Sequence, residues 1–327
     1  MKMNDNSYSR RKRVLAIYFS NSGDTKRALD RFLSPIENFG HDIVCREIVC
    51  EKKFPYPWKG YDFFNVLPET ISGIAPELSN HTELCAEDFD MIVLAWQVWF
   101  LSPSLPMQAF MNSTSPESFR DRRVISIISC RQMWYAAYID VARSIARTGA
   151  IFGDNLIVRH RGKLASFVTT PYALLTGKDR KLAFLERGGQ RPDDLVNLEE
   201  AGRRVAYSSD QWGRRSSVTL LDDLVSRGDS ISGLVTERLG RGFMRIWASV
   251  AITIGGPSSK ARAPVMYAFT YLFLILIPIM LVVGAIIGLF SKVFGQNWSF
   301  RRLRGLDSRV SDYYPNFEDK LSSDKIA

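Results

Sequence analysis

Arg13-Val14-Leu15-Ala16-Ile17-Tyr18-Phe19-Ser20-Asn21-Ser22-Gly23-Asp24-Thr25, followed directly by Lys26-Arg27-Ala28-Leu29, decides the fold of this chain. Its first seven residues form a short apolar run, the pattern of a strand buried on both faces of a parallel sheet. The next six are small and rich in hydroxyl groups, and a helical pattern then begins at once. A strand that turns this way into a helix builds an anion cradle. The N–H groups of the first helical turn lack intrahelical acceptors, and the helix dipole adds positive potential there. Ser20, Ser22 and Thr25 add hydroxyl donors, and Gly23 permits a tight turn. The stretch has neither the G-x-x-x-x-G-K-[ST] pattern nor G-x-G-x-x-G, which sets aside the P-loop and dinucleotide-binding classes. Taken alone, it leaves open a serine-rich turn that merely caps a helix.

A second segment bears on that choice. Asp88-Phe89-Asp90 leads into Met91-Ile92-Val93-Leu94-Ala95, another central-strand run, which ends in Trp96-Gln97-Val98-Trp99-Phe100-Leu101-Ser102-Pro103-Ser104-Leu105-Pro106. The first loop resembles the [ST]-x-[ST]-G-x-T phosphate loop of flavodoxins. The second resembles their aromatic loop beside the flavin ring. The fold expected is therefore α/β: a flavodoxin-like, doubly wound, five-stranded parallel sheet with a C-terminal hydrophobic membrane helix. In such a sheet the ligand lies beyond the carboxyl ends of the strands, where strand order reverses. The resemblance implies FMN as cofactor, bound by Ser20, Asn21, Ser22, Gly23, Asp24, Thr25, Trp96, Gln97, Val98, Trp99, Phe100, Ser129, Cys130 and Arg131. Asp24 stands where many relatives carry an uncharged residue.

The remaining chain divides readily. Residues 1–12 read as a flexible basic tail and 13–213 as the FMN-binding domain. Residues 214–262 read as an amphipathic helical linker, 263–292 as a transmembrane or membrane-anchoring segment, and 293–327 as a basic-then-acidic tail. The first helix is expected to stop near Leu33 or Ser34, because Pro35 disfavours helix at the preceding residue. The second strand is expected at His41 to Val49, the fourth at Val124 to Ser129 and the fifth at Asn155 to Arg159. An extra strand is expected at Leu164 to Thr170, and helices at Trp134 to Gly149 and Asp193 to Trp212. Residues 50–87 form a long connection dense in aromatic residues and proline, a lid or substrate wall, or else a segment packed on the sheet.

A net charge of +9 suits an anionic partner, and the basic residues flanking the apolar segment favour a membrane over nucleic acid. Cys45, Cys50, Cys85 and Cys130 show no zinc or C-x-x-C spacing, so free thiols in a reducing compartment and no metal site are expected. Ala263 to Ser291 holds no charged residue. About 20 apolar residues suffice to cross the hydrocarbon core as a helix. Basic residues stand on both sides, so the positive-inside rule does not orient the segment, and a span or a re-entrant hairpin bent at Pro278 both fit. The expected location is a cytoplasmic domain anchored to the inner (cytoplasmic) membrane.

Further stretches carry a more particular resemblance: Phe54-Pro55-Tyr56-Pro57-Trp58, Phe63-Phe64-Asn65-Val66-Leu67-Pro68-Glu69, Gln97 to Pro106 and Tyr172-Ala173-Leu174-Leu175-Thr176-Gly177. With the C-terminal apolar segment, they make the chain similar to the flavodoxin-like aromatases of dialkylresorcinol and flexirubin-type lipid pathways. That resemblance implies FMN-dependent removal of two hydrogens from a dialkylcyclohexane-1,3-dione. It also implies a ketosynthase-like condensing enzyme as partner. A homodimer is a further partner expectation. No motif marks the base; His160, Tyr56 and His81 are the candidates, and solvated loop residues are the plainer reading of both histidines. Two other classes stay open: a membrane-tethered FMN electron carrier or quinone-type oxidoreductase, and an FMN-free membrane scaffold for a ketosynthase.

Overall fold

The apolar runs become strands in this computed structural model, which describes residues 11–58, 60–80, 89–131, 133–160, 189–212, 221, 231–257 and 259–293. The strands are β1 (Arg13–Tyr18), β2 (Asp42–Glu47), β3 (Met91–Trp99), β4 (Ser102–Pro103), β5 (Arg123–Cys130) and β6 (Ile151–Arg159). Their spatial order is β2-β1-β3-β5-β6, with the two-residue β4 paired only to β3. Every pairing except β3–β4 is parallel. Without β4 this is the 2-1-3-4-5 order of the flavodoxin-like sheet, with its switch point between β1 and β3.

Alternation along the strands assigns the two faces. Val14 and Ala16 of β1, with Met91 and Val93 of β3, pack beneath α1 (Asp24–Asn38). Leu15 and Ile17, with Ile92, Leu94 and Trp96, face the opposite core. That second face is covered by α4 (Leu105–Ser113) and α5 (Tyr135–Arg147), which contribute Met107, Phe110, Ala137 and Tyr138. The helix α6 (Pro192–Tyr207) lies beside α1 and completes the first face.

The structure moves several expected boundaries. Helix α1 continues through Pro35 to Asn38, because Phe32, Leu33 and Ile36 are buried on its sheet-facing side and outweigh one lost N–H. The helix expected at 193–212 ends at Tyr207, followed by a short 3-10 turn at Ser209–Gln211. The expected strand at 164–170, the 172–177 stretch, His81 and Cys85 lie outside the described residues.

The long connection after β2 is not a bare loop. It contains α2 (Gly60–Phe64) and α3 (Leu67–Ser72). Against these pack two long helices, α7 (Ile231–Ile254) and α8 (Ala263–Val293). Leu67 and Ile71 share one buried cluster with Met244, Ala248, Ala251, Met266 and Phe269. Arg241 of α7 pairs with Asp140 of α5, and Glu237 accepts the Ala136 N–H at 2.9 Å.

The uncharged run forms the single helix α8, but some of its side chains beyond Phe273 lie outside the described residues. A full span is one expectation for 263–292; among the described residues no helix is long and apolar enough to cross a membrane. What α8 does show is a run of exposed apolar residues, including Ile275, Ile279, Val282, Ile286 and Leu289.

Candidate functional site

The loops after β1 and β3 lie side by side at the carboxyl edge of the sheet. Parallel pairing of Tyr18 with Ala95 sets their register, and the Phe19 N–H donates to the Ala95 carbonyl at 3.0 Å. A hydrogen-bonded chain then joins them. Gln97 Nε2 donates to Thr25 Oγ1 at 3.0 Å, and Trp99 Nε1 donates to Gln97 Oε1 at 3.2 Å.

Gly23 occupies the cap of α1 with φ +85°, the left-handed region that a Cβ penalises, and space is open where that Cβ would sit. Lys26 N–H donates to Ser20 Oγ at 3.2 Å and Arg27 N–H to the Gly23 carbonyl at 3.0 Å. The Asp24 and Thr25 N–H groups find no protein acceptor among the described residues. Two free N–H groups, three nearby hydroxyls and a glycine with room beside it fit a phosphate. Asp24 does not oppose this as a free charge, because its carboxylate receives Arg27 Nη1 at 2.9 Å and Ser22 Oγ at 3.0 Å.

The aromatic residues assemble next to this cradle. Trp99 makes edge contacts with Phe19, Phe54 and Trp58, with ring centroids 5.8, 5.2 and 5.6 Å away. Asn21 joins the phosphate loop to the same group. With its amide oriented to suit both neighbours, Asn21 donates to the Phe54 carbonyl at 3.2 Å and accepts from Trp58 Nε1 at 2.8 Å. Phe100 lies on the far side of this group, 5.1 Å from Phe63.

Trp96 and Cys130, both expected at the flavin, point instead into the core shared with α5. Trp96 is fully buried, and its Nε1 donates to Ser126 Oγ at 2.9 Å. Strand parity carries the reason, since Trp96 shares a face with Ile92 and Leu94, and Cys130 with Val124 and Ile128. Ser129 is buried opposite Gln97 in the β3–β5 register. Arg131 follows directly, half-buried, and burial lowers its guanidinium to about 10.

Of the candidate bases, Tyr56 is exposed in the long connection, and His160 follows β6 with its N–H donated to the Cys130 carbonyl at 3.0 Å. Burial holds the His160 imidazole below its ordinary value; the Asp24 carboxylate opposes that shift and the Arg131 guanidinium reinforces it. His160 is therefore neutral at pH 7 and can accept a proton. Its backbone bridges that of Gln190, whose side chain reaches the Asp24 carbonyl, so it lies beside the phosphate loop, in place of the solvated position that its basic sequence neighbours suggested.

Two further features have no sequence motif. Gln190 Nε2 donates to the Asp24 carbonyl at 2.9 Å across 166 residues, and so buttresses the phosphate loop. Arg262, wholly buried, donates to Glu69 at 2.6 and 3.2 Å and to Asn65 Oδ1 at 2.7 Å. That cluster fastens the start of α8 to α3, beside the aromatic loop. An Asn-x-x-x-Glu pair one helical turn apart was the local trace of it; its cation, 193 residues away, had none.

Comparison with solved structures finds the chain similar to the following proteins. A flavodoxin from Streptococcus pneumonia TIGR4 is 12% identical, covers 60% of this chain and 99% of its own, and has a TM-score of 0.35. A WrbA-like flavodoxin from Agrobacterium tumefaciens is 12% identical over 62% and 99%, with a TM-score of 0.36. An NAD(P)H:quinone oxidoreductase from Methanothermobacter marburgensis is 10% identical over 60% and 97%, with a TM-score of 0.35. No protein-family model matches the chain, and no curated protein does. At identities of 10–12%, these structures assign it neither an activity nor a ligand.

Proposed function

We propose that this chain is an FMN-dependent oxidoreductase that converts a dialkylcyclohexane-1,3-dione to a dialkylresorcinol at a membrane surface. The observation that carries this reading is the joining of an anion cradle to an aromatic loop at the sheet's switch point, through Thr25, Gln97 and Trp99. The Asp24 and Thr25 N–H groups, with the Ser20 and Thr25 hydroxyls, would hold the phosphate, and Ser22 would join them on turning its hydroxyl away from Asp24; Gln97, Val98 and Trp99 would border the ring. When bound, FMN supplies a two-electron hydride acceptor.

The substrate class follows from the resemblance of the aromatic stretches and from the apolar surroundings of this loop. The reaction removes two hydrogens, one as hydride from a ring carbon and one as a proton, and forms an aromatic ring. The chain's own part is positioning and proton acceptance. His160, held neutral by burial, is the proton acceptor this reading favours over the exposed Tyr56. The exposed apolar residues of α8 support contact with a membrane, where a lipid-like substrate gathers; the cytoplasmic face of the inner membrane is the location proposed. A ketosynthase-like condensing enzyme would supply the dione, and a homodimer is the assembly proposed.

The test begins with a visible spectrum of protein purified in mild detergent. Flavin bands at roughly 370 and 450 nm, bleached by a dialkylcyclohexanedione with release of the resorcinol, are the expected result. A yellow protein that the dione leaves unbleached would point to an electron carrier. A colourless protein that takes up no FMN would leave only the scaffold. In a yellow protein, Thr25→Val removes a hydroxyl from a charged ligand and should weaken FMN binding about tenfold or more, read by fluorescence titration.

A further inference from the structure

We propose that an alkyl chain dissolved in the bilayer reaches the aromatic loop through a seam between α2 and α8, lined by Phe64, Phe100 and Phe273. The nature of the head group and the bilayer as its source rest on the function proposed above; the path through the rings rests on geometry. Ring contacts run unbroken from Trp99 to α8. Trp99 meets Trp58 at 5.6 Å, Trp58 meets Phe63 at 5.9 Å, and Phe63 meets both Phe64 and Phe100 at 5.1 Å. Phe64 then meets Phe273 of α8 at 6.5 Å.

Each end of this path opens onto something different. Trp99 is tied through Gln97 to the phosphate loop. Phe273 lies between Tyr271 and Ile275, which are 68% and 62% exposed on an uncharged helix. Phe64, Phe100 and Phe273 are half-buried, whereas Phe269 beside them is fully buried. The nearby charges of Arg262 and Glu69 are closed on each other, so the rings face no free charge from that pair.

The tip of the seam is also under strain. Phe100 and Leu101 form the two-residue turn between β3 and β4 with φ of 48° and 60°. Both are left-handed, a geometry that such turns ordinarily fill with Asn-Gly. Holding two bulky apolar side chains there is sterically unfavourable. Strain of this kind collects at ligand clamps, and here it presents two apolar groups to the path. An alkyl chain is the occupant that suits an all-carbon lining continuous with the exposed apolar side chains of α8.

The experiment uses the full chain in phospholipid vesicles with a cyclohexane-1,3-dione carrying a long alkyl chain with a photoactivatable diazirine. Adducts in peptides containing Phe64, Phe100 and Phe273 are expected after irradiation. Adducts confined to residues 275–289 would overturn the route, as lipid contact without entry. Phe64→Ala and Phe273→Ala should raise KM for the long-chain dione about tenfold and leave that for a short-chain dione unchanged, the flavin spectrum reporting the fold. Equal losses for both diones would make the seam structural and overturn the proposal. Seam adducts from a wild-type protein that never oxidises the dione would keep the route and sink the aromatisation. Oxidation with adducts elsewhere would do the reverse.

Discussion

Gly202 of α6 sits where two helices nearly touch. A Cβ there would lie 2.1 Å from the Phe32 carbonyl oxygen and 3.3 Å from Pro35 Cγ. Backbone cannot swing aside as a side chain does, so Gly202→Ala should destabilise the fold by about 1–3 kcal/mol, read as a lower urea midpoint. Arg262 poses the opposite problem, a charge without water. Arg262→Met leaves Glu69 buried and uncompensated, at a cost of about 3–5 kcal/mol, while adding Glu69→Leu should return most of it. A double-mutant cycle checks this; if the double variant is no better than the single, the pairing is not what matters. His41 and His160 give a pH dependence. Burial lowers both, against the Ala206 backbone at His41 and Asp24 at His160. Unfolding therefore takes up protons. This stability is complete above the unfolded value of about 6.5 and is lost as pH falls through the lower folded values. Replacing both with Gln should flatten the acid limb of denaturation curves; an unchanged limb would contradict the assignment.

The turn between β3 and β4 shows how an element can hold what its own residues disfavour. Phe100→Asn with Leu101→Gly would relieve about 1–2 kcal/mol of left-handed strain at each position. It would also remove two half-buried side chains, each worth about 1.5–3 kcal/mol when fully buried. The two effects nearly cancel in global stability, so the change should appear locally. The α7–α8 pair loses its contact with the turn, and the connection at 255–262 should be cut faster by protease while the urea midpoint barely moves. Unaltered cleavage would mean that the cluster around Leu67 and Ile71, with the Arg262 bonds, secures the pair without the turn. Pro35 in α1 makes the same point. Its own signal says stop, yet Leu33 and Ile36 are buried on either side of it, and the helix runs on to Asn38.

At the scale of the molecule, a doubly wound sheet carries a pair of helices whose apolar residues are only partly covered. Met266 and Phe269 of α8 are buried on α3 and α7, whereas Tyr267, Tyr271, Ile275 and Ile279 are exposed. Tyrosines near the start of such a helix and aliphatic residues beyond it match an interfacial seat. Ile275→Lys combined with Ile279→Lys and Ile286→Lys should abolish flotation with phospholipid vesicles, since lysine in the hydrocarbon region costs about 2.5–3.5 kcal/mol at mid-depth. Equal flotation of both proteins would place the membrane contact elsewhere. The same seat would bring α2 and the Phe100 turn near the lipid, consistent with the seam between α2 and α8.

Sequence alone determined the five parallel strands in outline and the helix-capping turn of Ser20 to Thr25, because each depends on neighbours within a few residues; β6 begins at Ile151, four residues before the expected Asn155, and the two-residue β4 had no sequence signal. It also held the parity that turns Trp96 and Cys130 into the core, since Ile92, Leu94 and Trp96 fall on one face of β3 and Val124, Ile128 and Cys130 on the same face of β5. Tertiary structure decided the rest. Gln190 reaches Asp24 across 166 residues, and Arg262 finds Glu69 across 193. Pairings at such separations carry no local periodicity. They exist because the sheet's crossovers and the return of α7 and α8 bring together groups whose burial requires a partner.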